Sequence, residues 1–228
     1  MGRDMSRLLY VGLPKGRFLT ASVSVLTGLG ADEAKVRQRY TWQVQANHLN
    51  LCFKLLKTQD IPHLLAANVL QFGVTSDEWV AEWRAPLVEL LDLRWCTTTI
   101  VLASAVDADQ RPRPAPTGVT GPRVATSYPN LAERYLRQKH PDMRVRKVVG
   151  SAEAFVPDFC DAIVDCVETG GTLAANGLTV RNVLFTSSVR LFAAPAKEWR
   201  EYADDMIELF RPHQLTQMQP ALVNQGRM

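Results

Sequence analysis

With 228 residues, 46% of them hydrophobic and 21% charged, the chain has enough apolar material for one large globular domain or two small ones. Its net charge of +3 is dispersed rather than gathered in runs, which argues against nucleic acid as a partner and still suits a phosphorylated small molecule. Cys52, Cys96, Cys160 and Cys166 include no Cys-x-x-Cys pair and no histidine at zinc spacing, so they read as free thiols of a reducing compartment. No signal-peptide core precedes the first apolar run, and no apolar run approaches the roughly 18 residues of a membrane helix. A cytoplasmic protein without membrane contact is the expectation.

In chain order, residues 8–13 form a short apolar run ended by Pro14-Lys15-Gly16-Arg17, and residues 18–29 are amphipathic, predicting strand, loop and helix. Residues 40–44 and 49–56 alternate as strands about a polar turn at 45–48. Residues 61–67 open with proline in a first helical turn. A short strand at 72–75 then ends in Ser76-Asp77-Glu78, a helix-capping sequence. Residues 87–93 lead to a strand around 97–105. Four prolines and two glycines in residues 106–122 preclude regular structure and predict a linker or long surface loop.

Beyond it, residues 123–126 read as a strand, 129–139 as a helix with an exposed basic face, and 144–149 as a strand. Ser151-Ala152-Glu153 caps a short helix. Strands are expected at 179–183 and 189–194 and an amphipathic helix at 197–210, followed by a frayed polar end at 213–228. Strands alternating with helices predict an α/β chain, mostly parallel, in two lobes with a ligand cleft between them.

Residues 161–178 are the most informative. An apolar run holds Asp165 and ends at Glu168, and Thr169-Gly170-Gly171-Thr172 leads into a helix-compatible segment from Leu173. Backbone N–H groups of such a turn point at phosphate oxygens, Gly170 and Gly171 permit positive φ and close approach, and the carboxylates suit ribose hydroxyls or magnesium. A buried strand followed by an ordinary turn explains the same residues equally well.

Five segments in order resemble the ATP phosphoribosyltransferase family: 13–17, 123–132 (Arg-Val-Ala-Thr-Ser-Tyr-Pro-Asn-Leu-Ala), 150–153, 161–178, and 187–191 (Ser-Ser-Val-Arg-Leu). The resemblance implies a periplasmic-binding-protein-like (type II) two-lobed fold, with lobe I at 1–103 plus 190–228 and lobe II at 104–189. It implies that N1 of ATP attacks C1′ of phosphoribosyl pyrophosphate and pyrophosphate leaves, the first step of histidine biosynthesis, with Mg²⁺ as cofactor. Such a displacement rests on positioning and charge stabilisation, and the ring nitrogen needs no activated hydroxyl. His48, His63, His140 and His213 accordingly read as surface or loop residues.

By this resemblance Thr169, Gly170, Gly171, Thr172 and Leu173 cradle the 5′-phosphate beside Glu168. Asp165 and Glu153 face the ribose hydroxyls or metal-bound pyrophosphate, although Glu153 also suits a helix cap. Lys15 and Arg17 meet pyrophosphate or nucleotide phosphates, or form a solvated basic turn. Lys57 stands where the family has arginine, Arg39 (or Arg37) where it has another, and Glu78 where it has aspartate. Ser76 replaces a common glycine, Ser127 a common lysine and Val149 a common asparagine, so the acceptor side departs more than the donor loop. About thirty residues follow Ala196, which suits the family's short form, a homodimer working with a regulatory subunit resembling histidyl-tRNA synthetase. Two alternatives remain beside ATP phosphoribosyl transfer: a paralogue using another purine nucleotide in a nucleoside-antibiotic pathway, and a catalytically silent binding or regulatory module.

Overall fold

The computed structural model describes residues 7–46, 48–105 and 122–215. The expected loop at 106–122, save Pro122, and the polar end beyond 215 lie outside the described residues. The rest gathers into two compact units, one drawn from Met1–Cys96 and Ser188–Met218 and the other from Thr97–Ser187.

In the first unit, β1 (Leu8–Pro14) leads through a 3-10 turn, Gly16–Phe18, into α1 (Leu19–Gly28). A short α2 (Glu33–Val36), unforeseen from the sequence, starts where the Asp32 carboxylate accepts from Lys35 N–H. β2 (Thr41–Ala46) and β3 (Leu49–Leu56) pair as an antiparallel hairpin. A 3-10 turn at Thr58–Asp60 precedes α3 (Ile61–Ala66), with Pro62 in its first turn, then come β4 (Phe72–Ser76) and α4 (Asp77–Trp83). Strand β5 (Val88–Ala105) carries the chain out of this unit.

The second unit continues through β6 (Arg123–Thr126), α5 (Pro129–Lys139) and β7 (Arg144–Lys147), then a 3-10 turn at Ala152–Phe155. β8 (Ala162–Val167) and α6 (Gly171–Ala175) follow, and β9 (Leu178–Ala193) returns to the first unit. There a 3-10 stretch, Lys197–Tyr202, runs into α7 (Ala203–Phe210).

Strand order in the first unit is β2-β3-β1-β4-β9, with β1 parallel to β3 and β4 while β2 and β9 pair antiparallel. Order in the second is β5-β8-β6-β7, with β6 parallel to β7 and β8 while β5 pairs antiparallel with β8. The strand pairing within each unit is therefore mixed, correcting the mostly parallel expectation: parallel strands are flanked by antiparallel ones. Two close approaches fix the first core. Gly12 and Gly73 are register partners, and a Cβ on either would come within 2.8 Å of Leu70 or Ile61 side-chain carbon. Glycine at both positions lets α3 lie this near the sheet, while Val11, Phe53 and Phe72, one position out of phase, face the opposite side in the core with Phe210.

Several expected boundaries move. The strand expected around 97–105 starts earlier, at Val88, and runs through Arg94, which takes φ 55° while the Asp92 carboxylate accepts from its N–H at 3.0 Å. This behaves as a bulge, bending the strand without ending it. The strands at 179–183 and 189–194 likewise join through β-compatible residues 184–188. The helix at 197–210 begins as a 3-10 stretch. All four cysteines are free; Cys52 and Cys160 are buried, and burial raises the Cys160 thiol pKa against the lowering influence of Arg123. Among the described residues no helix is long and apolar enough to cross a membrane.

Candidate active site

In open α/β sheets ligands bind outside the carboxyl ends of the strands, at a point where consecutive connections leave to opposite sides. The first unit has such a point at β1. The chain passes from β1 to β3 on one side, then from β3 to β4 on the other. Register pairs Pro14 with Leu56, and Lys15 N–H donates to the Leu56 carbonyl at 2.8 Å, so Lys15 and Lys57 leave the sheet side by side. Arg17, on the turn after β1, reaches Glu78, on the helix after β4, with Nη2 3.5 Å from Oε1. The Glu78 side chain is fully buried, whereas Arg17 is substantially exposed.

Arg39 precedes β2 at the same end, its guanidinium 6.0 Å from the Trp42 ring centroid. Arg37, the alternative, is committed to an exposed helical ion pair with Glu33 at 2.9 Å. The structure thus gathers Lys15, Arg17, Lys57 and Glu78 at one carboxyl edge, with Arg39 beside them. The expected Ser76 cap is corrected. Ser76 holds the position before α4, but its hydroxyl makes no capping bond and is buried without a hydrogen-bond partner.

The second unit repeats the arrangement at β6. The chain goes from β6 to β7 on one side and from β7 to β8 on the other. The turn after β8 carries Glu168, Thr169 and Gly170, and Gly170 adopts φ 76°, ψ −2° immediately before α6. Gly171 does not take positive φ: it is the first helical residue, and a Cβ there would meet only Thr169 Oγ1 at 3.7 Å. Thr169 and Thr172 are exposed at the turn. The Leu173 side chain is buried in the second core and anchors the turn, so its expected contact would come from its backbone N–H.

Asp165 is half-buried on β8, and its Oδ1 accepts from Cys166 N–H at 2.7 Å. Glu153 is half-buried in the 3-10 turn after β7, where neither Ser151 nor Glu153 makes the expected side-chain cap. That turn is too short and tight for the capping-box geometry.

Sequence reasoning missed one cluster. Arg190 Nε donates to both carboxylate oxygens of Asp77 at 2.9 and 3.0 Å, and Nη1 lies 2.8 Å from Glu89 and 3.2 Å from Asp92. Ser188 N–H donates to Asp77, and its hydroxyl donates to Asp92 at 2.6 Å. Burial disfavours the guanidinium charge, but the Asp77 hydrogen bond and the surrounding carboxylates outweigh it, and the Arg190 pKa is raised. This clamp fixes the start of α4 to β9 just before Glu78. Its only sequence signal is Arg190 within the 187–191 segment.

The cationic strand edge of the first unit, and the carboxylate strand and threonine-glycine turn of the second, are features of an α/β protein that suit phosphorylated ligands. The family model for ATP phosphoribosyltransferase (HisG) matches residues 57–212. The ATP phosphoribosyltransferase of Thermoanaerobacter sp. (strain X514) is 32% identical over 190 residues, covering 82% of this chain and 86% of that protein. The ATP phosphoribosyl transferase (HisG:HisZ) complex from Thermotoga maritima shares the fold, with a TM-score of 0.73 at 23% identity over 90% of this chain and 98% of that one. The arginine-bound form of truncated ArgBP from T. maritima aligns at a TM-score of 0.52 and 13% identity, covering 91% and 97%. The fold is of the periplasmic-binding-protein-like (type II) class. The chain belongs to the ATP phosphoribosyltransferase family, pentosyltransferases of the first step of histidine biosynthesis.

Proposed function

We propose that this chain transfers the phosphoribosyl group of phosphoribosyl pyrophosphate to N1 of ATP, releasing pyrophosphate. The observation that supports this reading most is that family-matched residues stand at the carboxyl ends of parallel strands around a switch point in both units. In the second unit, backbone N–H groups of Thr169, Gly170, Gly171, Thr172 and Leu173 hold the 5′-phosphate, and Gly170 turns the chain so that they converge. Asp165 and Glu153 accept from the ribose hydroxyls, with Glu168 at the rim. In the first unit, Lys15, Arg17, Arg39 and Lys57 bind the phosphates of the acceptor nucleotide, and Glu78 orients Arg17.

The acceptor nitrogen uses its own lone pair, so the protein supplies placement and charge rather than a nucleophile. Among the described residues no three His, Cys, Asp or Glu side chains gather to hold a metal ion. Asp165 and Glu153 would hold Mg²⁺ together with substrate oxygens, and the ion would supply positive charge to the leaving pyrophosphate. The homodimer and a regulatory subunit resembling histidyl-tRNA synthetase belong to the same proposal. The T. maritima relative, described as a HisG:HisZ complex, supports an assembly with a second protein.

The test is to incubate the protein with phosphoribosyl pyrophosphate, Mg²⁺ and each purine nucleotide in turn, with and without the regulatory subunit, measuring pyrophosphate and the nucleotide product. Turnover with ATP is expected. Turnover only with another nucleotide would replace the acceptor, and none with any would leave a silent binding module. Asp165→Asn and Thr169→Val should each lower kcat/KM for the donor at least about tenfold, as loss of a charge-assisted or phosphate contact does. Wild-type rates in either variant would misplace the donor site.

A further inference from the structure

Aromatic side chains with large exposure occur at Tyr10, Tyr40, Trp83 and Phe159. Three have other partners or places. Trp83 packs on His63, with centroids 5.1 Å apart, and its N–H donates to the Gln59 carbonyl. Phe159 meets Phe155 edge-on, and Tyr10 lies in the middle of β1 beside Lys54. Tyr40 differs. It is 65% exposed, it immediately precedes β2, and its carbonyl accepts from Leu55 N–H at 2.9 Å, which seats it beside the carboxyl end of β3. Lys15 Nζ stands 4.8 Å from the Tyr40 ring centroid. An exposed ring is thus backed by the cation that leaves the sheet next to Lys57.

An aromatic face at the rim of a cationic cluster is the pairing that a nucleotide requires. Phosphates need the positive charge and the base needs a flat apolar surface, since every base has a π-face and stacking is largely indifferent to its edge groups. The backbone of Tyr40 is fixed by the β3 contact, so the ring is presented with little ordering left for the ligand to supply. We propose that Tyr40 is the platform on which the purine ring of the acceptor stacks, while Lys15 beneath it serves the phosphates. This deepens the acceptor assignment above and rests on it.

The measurement compares the Kd of ATP with that of tripolyphosphate, which has the phosphates and no base, in the wild type and in Tyr40→Ala, Tyr40→Phe and Tyr40→Trp. Tyr40→Ala should weaken ATP about tenfold or more, the loss that removing a base-stacking ring produces. Tripolyphosphate binding and the KM of phosphoribosyl pyrophosphate should stay unchanged, Tyr40→Phe should stay within about twofold of wild type, and Tyr40→Trp should bind ATP at least as tightly. Unchanged ATP affinity in Tyr40→Ala overturns the proposal. So does an equal loss for ATP and tripolyphosphate, because the ring would then act only through Lys15. A wild-type protein that binds tripolyphosphate but gains nothing from the base of ATP removes the platform together with the ATP assignment, whereas the Tyr40 variants failing against a tight wild-type ATP site removes the platform alone.

Discussion

The Arg190 clamp allows a stability prediction from geometry. Arg190→Ala removes the guanidinium that both oxygens of Asp77 accept from at 2.9 and 3.0 Å and that lies 3.2 Å from Asp92. Arg190, Asp77 and Asp92 side chains are 23%, 25% and 25% exposed, so these contacts are only partly screened. The charge-assisted Asp77 fork is worth about 1.5–3 kcal/mol. Glu89, 55% exposed, adds less than about 1 kcal/mol because water screens it. The orphaned carboxylates are not left bare, since Ser188 still donates to Asp77 through its N–H and to Asp92 through its hydroxyl. The net loss should therefore be about 2–3 kcal/mol, below the cost of breaking a fully buried pair, lowering Tm by roughly 5–10 °C. Urea denaturation of Arg190→Ala, Asp77→Asn and the double variant gives the coupling directly, expected to be at least about 1 kcal/mol. Because Glu78 follows Asp77, the same substitution should raise KM for ATP more than KM for the donor. Strictly additive variants, or an Arg190→Ala loss under about 0.5 kcal/mol, would refute the clamp.

Ser76→Ala should be neutral or stabilising by up to about 1 kcal/mol, although the same change at a working helix cap costs about that much, because this buried hydroxyl has no partner to lose; a clear loss in urea midpoint would show an unrecognised bond. His213, with Nδ1 3.5 Å from Ser24 Oγ and its carbonyl accepting from the Trp95 indole, has its pKa lowered from 6.5 by burial. The unfolded chain then binds the proton more readily, so stability should hold above pH 6.5 and fall as pH drops below it toward the depressed folded value. His213→Gln should flatten that acid limb in a pH series of thermal midpoints, and an unchanged limb would assign it to carboxylates. Gly170→Ala forces a side chain into φ 76° at a strain of about 1–2 kcal/mol and should raise KM for phosphoribosyl pyrophosphate while leaving ATP binding alone; an unchanged donor KM would detach that turn from the 5′-phosphate.

The stretch proposed to hold the donor was legible as local structure because its signals lie close together. Asp165, Glu168 and the threonine-glycine turn lie within one stretch, and strand, positive-φ glycine and helix occur in that order in the structure. The helix at Pro129–Lys139 was legible for the same reason, its proline, apolar spacing and basic last turn all acting within a few residues. What escaped was set by distant partners or by conformations that composition does not encode. Asp77 and Arg190 are 113 positions apart, so Asp77 read as a capping residue and Arg190 as part of a short segment. The join at Arg94 depends on one residue tolerating a left-handed conformation that a carboxylate two positions away supports.

The same distinction applies to the proposed acceptor side. Lys15, Tyr40 and Lys57 come from three loops and Glu78 from the start of α4, and in the sequence nothing links them to one another. Register brings them together: Pro14 faces Leu56, Leu55 bonds back to Tyr40, and Arg17 reaches Glu78 across the switch point. A lysine in place of arginine at 57 then stands next to Lys15, on a strand end whose neighbour already supplies cationic charge. Bidentate geometry is lost at 57, but point charge is not. Nucleotide phosphates can be held by either, so under the proposed function the substitution is expected to change how the acceptor is gripped more than which class of acceptor it is.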